Sequence, residues 1–306
     1  YFIMSLLTLS PEVQAAQSAQ RPLVALESTI ITHGMPWPEN LKMAQDVEQC
    51  VRDSAAVPAT IAVLDGRLCI GLTAAQLTGL AQTRDAAKLS RADLAACMAT
   101  GGTGATTVAA TMIGAARAGI SVFATGGIGG VHRGAEHSFD ISADLHELAQ
   151  TPLTVVAAGA KAILDLPKTL EVLETLGVPV IAYGQDSLPA FWSAQSELPA
   201  PLRLDTPAQI ARAHLLRHQL GLPGGQLIAN PVPATEQISQ IEMAPFIQTA
   251  LADADQQGIV GKAVTPFLLQ RIFDLTEGRS LTANIALVRS NARLAAEIAH
   301  EINTLI

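Results

Sequence analysis

Lys161 is the residue whose setting most favours covalent chemistry. It follows the run Leu153-Thr154-Val155-Val156-Ala157, within Ala158-Gly159-Ala160-Lys161-Ala162-Ile163. Small apolar neighbours desolvate an ammonium and favour the neutral amine, the form that attacks a carbonyl or a sugar anomeric carbon. The commoner reading of such a lysine is a side chain snorkelling to solvent, or one paired with Asp165 a helical turn later. Glu27 is the first polar residue after the apolar run Leu23-Val24-Ala25-Leu26. A half-buried carboxyl there can act as a general acid, or it and Ser28 can bind backbone groups at a strand end.

Phe139-Asp140-Ile141-Ser142-Ala143-Asp144 alternates apolar and polar residues. Extended, it would place Asp140, Ser142 and Asp144 on one face, suited to a hard divalent cation or sugar hydroxyls. The alternative is that Ser142 or Asp144 caps a helix beginning near Leu145. Two glycine clusters, Gly101-Gly102-Thr103-Gly104 and Gly126-Gly127-Ile128-Gly129-Gly130, are candidates for anion binding at helix starts. Neither has Walker or dinucleotide spacing, although His132-Arg133 beside the second would favour an anion. His214 and His218 lie four apart on an expected helix without a third ligand, which reads as a solvated face. Trp37 and Trp192 fall in loops, where packing is the default.

These side chains need a frame that brings them together. Strands are expected at 23–26, 60–64, 68–72, 121–124, 153–157, 178–182 and 226–229, with Asp65-Gly66 as a hairpin turn. Helices are expected over 39–55, 105–118 and 168–176, and most of the remainder after residue 207 reads as helical. The first glycine cluster is expected to feed the helix at 105–118. Alternating strand and helix predicts an α/β fold, with strand C-terminal ends lining a ligand crevice. The Pro- and Ser-rich stretch 187–207 is expected to be a lid or a subunit-contact loop. Residues 1–21 read as an N-terminal arm, Tyr1-Phe2-Ile3 being a remnant ahead of Met4, and 22–306 as one domain.

The bulk numbers fit that frame. Of 306 residues, 49% are hydrophobic but only 4% aromatic and 15% charged, so the core is built from small aliphatic side chains. Low charge also implies that an oligomer hides some apolar surface. A net charge of −8 and a mean hydropathy of +0.32 favour neither nucleic acid nor an anionic membrane surface. No apolar run reaches membrane length, and Met4 to Leu9 lacks the marks of a signal peptide. Cys50, Cys69 and Cys97 show no paired spacing and read as reduced thiols, so the expectation is a soluble, cytoplasmic protein.

Taken in order, the motifs resemble the pseudouridine-5′-phosphate glycosidase family, which includes indigoidine synthase A-like proteins. The resemblance is carried by Ala25-Leu26-Glu27-Ser28-Thr29-Ile30-Ile31-Thr32-His33-Gly34-Met35-Pro36, Lys88-Leu89-Ser90-Arg91-Ala92-Asp93 and Thr100–Thr107. It continues through Thr125–Gly134, Ser138–Asp144, Gly159–Asp165, Leu188–Phe191, Ile228–Pro233 and Leu281–Asn284. It implies a three-layer α/β/α sandwich with a mixed, largely parallel sheet, a homotrimer, and one divalent cation per subunit, typically Mn2+. It also implies Lys161 as nucleophile, Glu27 as proton donor and Asp140 as metal ligand. Substrate contacts would come from Lys88, Thr107, Val108, His132, Ser142, Asp144 and Asn284. The implied reaction cleaves the C–C glycosidic bond of pseudouridine 5′-phosphate to uracil and ribose 5-phosphate. A lysine imine on the ring-opened sugar would be the electron sink. The rivals are a ribokinase-like sugar kinase, which lacks its Gly-Ala-Gly-Asp segment here, and a non-enzymatic sugar-phosphate-binding regulator.

Overall fold

The structure, a computed structural model, describes residues 6–306, so the reading of Tyr1-Phe2-Ile3 falls outside the described residues. The strands are β1 (Leu7–Leu9), β2 (Leu23–Leu26), β3 (Val57–Leu64), β4 (Arg67–Ile70), β5 (Ala87–Leu89) and β6 (Gly104–Thr106). They continue with β7 (Val122–Ala124), β8 (Thr154–Ala157), β9 (Val180–Tyr183), β10 (Leu202–Leu204) and β11 (Gln226–Ala229). All belong to one sheet of order β1-β4-β3-β2-β7-β8-β11-β9-β10, with β6 against β3 and β5 against β6. Only the pairings of β3 with β4 and with β6 are antiparallel, so the sheet is mixed and largely parallel.

The central strands are almost uniformly apolar because helices cover both faces of the sheet. Val24, Ala25 and Leu26 of β2, Phe123 of β7 and Val155, Val156 and Ala157 of β8 are all buried. The long helix Arg279–Leu305 packs across β2, β7 and β8, and against helices Glu39–Asp53 and Pro207–Gln219. Helix Val108–Arg117 lies on β2 and β3 and packs on helix Ala143–Gln150. Small residues permit that closeness: a Cβ on Gly114 would stand 3.0 Å from Ile61 Cγ2.

Several local expectations change. The N-terminal segment, read as a leader helix or arm, does hold a helix, Pro11–Ser18, but Leu7–Leu9 before it is a strand that finds a partner in β4. The first glycine cluster does not feed a helix. Gly104-Ala105-Thr106 pairs with β3 and β5, and helix Val108–Arg117 starts only after Thr107. A Cβ on Gly104 would meet the Ala87 carbonyl at 2.7 Å, so glycine is there for strand contact. Residues 139–144 are not one extended face either. Phe139 has a left-handed φ of 53°, Ile141 forms a lone bridge with Val131, and Ser142 caps helix Ala143–Gln150.

Stretch 187–207 is not a free-standing lid. Leu188, Ala190, Phe191 and Trp192 are buried, with the Trp192 indole donating to the Ser280 carbonyl at 3.1 Å, and Leu202–Leu204 joins the sheet. His214 does not face solvent as expected: its Nδ1 lies 3.1 Å from the Thr154 hydroxyl, and burial holds its pKa below the ordinary histidine value. Trp37, by contrast, is 46% exposed in its loop.

Candidate active site

The C-terminal ends of β2, β7 and β8, neighbours in the sheet, open into one cavity of about 440 Å³. Glu27 follows β2, Thr125 follows β7, and Lys161 lies in the turn beyond β8. This is where ligands bind open parallel sheets. All ten residues singled out from the sequence line the cavity: Glu27, Lys88, Thr107, Val108, His132, Asp140, Ser142, Asp144, Lys161 and Asn284.

Both oxygens of Glu27 are engaged by hydroxyls, Oε2 by Thr29 and Oε1 by Thr125. Hydroxyls both donate and accept, so they can hold this carboxyl in either protonation state. The Lys161 ammonium donates to the Gly127 carbonyl at 2.6 Å. It does not pair with Asp165, which caps helix Leu166–Thr175 through the Lys168 amide and forms an ion pair with Lys168 at 3.0 Å. Nor is Lys161 a solvent-snorkelling side chain: its amine turns inward on the second glycine cluster. Gly127 must lack a side chain, because a Cβ there would stand 2.7 Å from the Phe191 ring.

Lys88, from β5, shares the cavity with Lys161. Burial first, then the Lys161 charge, lowers its pKa, against the opposing pull of Glu27 and Asp144. Its ammonium approaches the Lys262 carbonyl at 3.4 Å, and Lys262 itself pairs with Asp93 at 2.7 Å. Burial also lowers the pKa of His132, helped by the charges of Lys161 and Lys88 and opposed by Asp140. Three lysines, Lys88, Lys161 and Lys262, line the cavity with His33 and His132, alongside the carboxylates of Glu27, Asp140 and Asp144. The Asn284 Oδ1 is buried without a partner, an acceptor left for a ligand hydroxyl or amide.

Ser142 accepts from the Asp144 amide at 3.2 Å, so the capping role is real and coexists with its place on the cavity wall. Asp144 is buried, with Oδ1 accepting from the Ala109 amide at 2.9 Å and Oδ2 from the Gly129 amide at 2.8 Å. It neutralises the start of helix Val108–Arg117 and ties that helix to the second glycine cluster. A Cβ on Gly129 would collide with Ser142, which explains that glycine.

Asp140 is the carboxylate that the fold leaves to the cavity. Its backbone is fixed, the carbonyl accepting from the His132 amide at 3.0 Å and the amide donating to the Ser138 hydroxyl at 3.2 Å. Among the described residues no three His, Cys, Asp or Glu side chains converge on one point. A cation here would have one protein carboxylate, Asp140, and would need water and ligand oxygens for the rest of its shell.

Sequence reading gave no role to Thr29, Thr125 and Phe191, although all three lie in the motif runs, and it missed the wall built by helix Val264–Leu275, including Thr265, Leu269 and Phe273. Nothing in the local pattern of that helix marks it as a cavity wall.

With this geometry in place, comparison is informative. The model of a family described as indigoidine synthase A like protein matches residues 12–301. The chain belongs to that family. It is 71% identical over 293 residues to a pseudouridine-5′-phosphate glycosidase of Roseobacter denitrificans, covering 96% of this chain and 94% of the other. It is 69% identical over 301 residues to one from Paracoccus denitrificans, covering 98% and 99%. Among solved structures, the prealnumycin C-glycosynthase AlnA in complex with ribulose 5-phosphate superposes with a TM-score of 0.91. It is 40% identical, covering 99% of this chain and 98% of that one. An indigoidine synthase A-like protein from Thermotoga maritima gives a TM-score of 0.88 at 30% identity, covering 97% and 96%. The architecture is thus that of the indigoidine synthase A-like family over nearly its whole length. No helix among the described residues is long and apolar enough to cross a membrane.

Asp144→Ala removes two charge-assisted hydrogen bonds, from the buried Ala109 amide and the half-buried Gly129 amide. It should destabilise the protein by about 2–4 kcal/mol in urea unfolding. Wild-type stability in that variant would mean that Asp144 serves the ligand alone.

Proposed function

We propose that this enzyme is a pseudouridine-5′-phosphate glycosidase, cleaving the C–C bond of pseudouridine 5′-phosphate to uracil and ribose 5-phosphate. The observation that carries the proposal is Glu27 and Lys161 lining one sheet-edge cavity in a chain 71% identical to a protein of that name. The cavity volume, about 440 Å³, is in the range of small-ligand pockets. The family resemblance adds the expectation of a homotrimer, with no role for nucleic acid or membrane.

Pseudouridine has no heteroatom between sugar and base, so protonating a leaving oxygen or nitrogen, as in ordinary glycosides, cannot break the bond. The ribose ring must open first. Glu27 gives its proton to the ring oxygen as the bond from that oxygen to the anomeric carbon breaks. With its ammonium proton first lost to solvent, the Lys161 amine forms a bond to the anomeric carbon and sheds a second proton to the Glu27 carboxylate left by ring opening, yielding a secondary amine that still carries uracil. The nitrogen lone pair then closes a carbon–nitrogen double bond as the carbon–carbon bond breaks. Its electron pair passes into the uracil ring, which takes up a proton. Water hydrolyses the resulting imine, releasing ribose 5-phosphate and restoring Lys161.

Lys88 and His132 suit the phosphate and sugar end of the substrate, with Thr107 and Val108 at the adjoining helix start. Ser142 and Asn284 offer oxygens for hydroxyls or base edges. A divalent cation such as Mn2+, held by Asp140, would supply Lewis-acid polarisation of a bound oxygen and orient the substrate. The protein residues otherwise bind, orient and move the protons.

Uracil release from pseudouridine 5′-phosphate, with and without Mn2+, tests the reading directly. Glu27→Gln should keep the fold and the dissociation constant while turnover falls by roughly two to four orders of magnitude. Near wild-type turnover would reduce Glu27 to a structural residue. Asp140→Ala should weaken Mn2+ binding, followed by titration calorimetry, without loss of thermal stability. Unchanged Mn2+ affinity would place the cation elsewhere.

A further inference from the structure

A pair of buried asparagines lies behind the reacting groups, outside the cavity wall. Asn291, on helix Arg279–Leu305, has no exposed surface. Its Nδ2 donates to the Thr125 carbonyl at 2.8 Å and approaches the Gly126 carbonyl at 3.5 Å. Its Oδ1 accepts from Asn230 Nδ2 at 2.9 Å, and the same Nδ2 reaches the Ser290 hydroxyl at 3.1 Å. Asn230 follows β11, and its amide donates to the Ala157 carbonyl at the end of β8 at 2.8 Å. Burying amides is costly unless they are hydrogen-bonded, and both polar atoms of the Asn291 side chain and the Asn230 nitrogen have partners.

What these amides hold is the stretch where the chain leaves β7. Thr125 carries the hydroxyl on Glu27 Oε1, and two residues later the Gly127 carbonyl accepts the Lys161 ammonium. Backbone bonds to the β8 side bracket this stretch, from the Thr125 amide to Val156 at 3.0 Å and from the Ile128 amide to the Gly159 carbonyl at 3.1 Å, and Asn291 takes the Thr125 carbonyl between them. The Gly126 carbonyl also accepts from the Ala158 amide at 2.9 Å, joining it to the lysine turn. We infer that Asn291 is a positioning residue, clamping the Thr125–Gly127 backbone so that one hydrogen-bonded unit sets both the proton donor Glu27 and the nucleophile Lys161. The inference rests on the glycosidase reading for its kinetic consequence alone; the clamp itself is geometric. Misplacing either group by a fraction of an ångström slows the chemistry without weakening substrate binding.

The test compares wild type, Asn291→Leu, Asn291→Asp and a control, Leu294→Ala, a buried residue of the same helix that does not line the cavity. Uracil release gives kcat and KM. Reductive methylation of the enzyme without substrate, followed by peptide mapping, gives the reactivity of Lys161, and thermal melting gives stability. For either Asn291 variant that folds, kcat should fall by about 10- to 100-fold while KM stays within about threefold. Lys161, released from Gly127, should be methylated about two- to tenfold faster, the worth of one net hydrogen bond. Leu294→Ala should lower the melting temperature and leave both readouts alone. Wild-type kcat and wild-type methylation in the Asn291 variants would overturn the clamp. So would equal losses in Leu294→Ala, which would make the effect one of stability. If wild type released no uracil yet Lys161 methylation rose in the Asn291 variants, the clamp would stand and the glycosidase reading would fall.

Discussion

The hydrogen bond from the Lys161 ammonium to the Gly127 carbonyl is the contact on which the site depends. It holds a long, flexible side chain against the end of β7, in the cavity that Glu27 also lines. A lysine side chain has about 2 kcal/mol of rotamer entropy to lose, so a fixed carbonyl close by decides where the amine resides. The carbonyl can approach that closely only because Gly127 has no side chain to strike Phe191. The glycine cluster, which resembled a phosphate turn, therefore serves first as a bare backbone surface for a lysine.

The sheet makes this arrangement possible. Parallel neighbours β2, β7 and β8 deliver three consecutive chain exits to one edge, so an acid, a threonine and a lysine meet without a dedicated loop scaffold. The strands are buried on both faces by small aliphatic side chains, and close packing leaves little freedom to shift the exits relative to one another. Around this rigid floor, helices Val264–Leu275 and Arg279–Leu305 supply the wall facing Lys88 and Asp140. Burial and the Lys161 charge both act against the charged form of Lys88, and Glu27 and Asp144 in the same field offset part of that.

Much of this was legible in the residues. Uniform apolar runs bounded by polar residues located β2 and β11 residue for residue, since a strand buried on both faces leaves that pattern. Motifs in fixed order put ten residues around one cavity. The reading failed where tertiary contact overrules local pattern. Gly104-Ala105-Thr106 has little strand propensity but completes a ladder with β3 and β5. The alternation from Phe139 to Asp144 mimics a strand, yet a capping serine and a left-handed phenylalanine bend it. The roles of Thr125 and Asn291 were not legible because their partners are remote: Glu27 is 98 residues from Thr125, and Thr125 is 166 from Asn291. Their roles exist only after folding.

Covalent capture by Lys161 is the central claim, and borohydride reduction of the enzyme mixed with ribose 5-phosphate examines it most directly. Mass spectrometry of proteolytic peptides should place one reduced sugar adduct on Lys161, and Lys161→Ala should show none. An adduct on Lys88 instead, or equal labelling of the Lys161→Ala variant, would contradict the account.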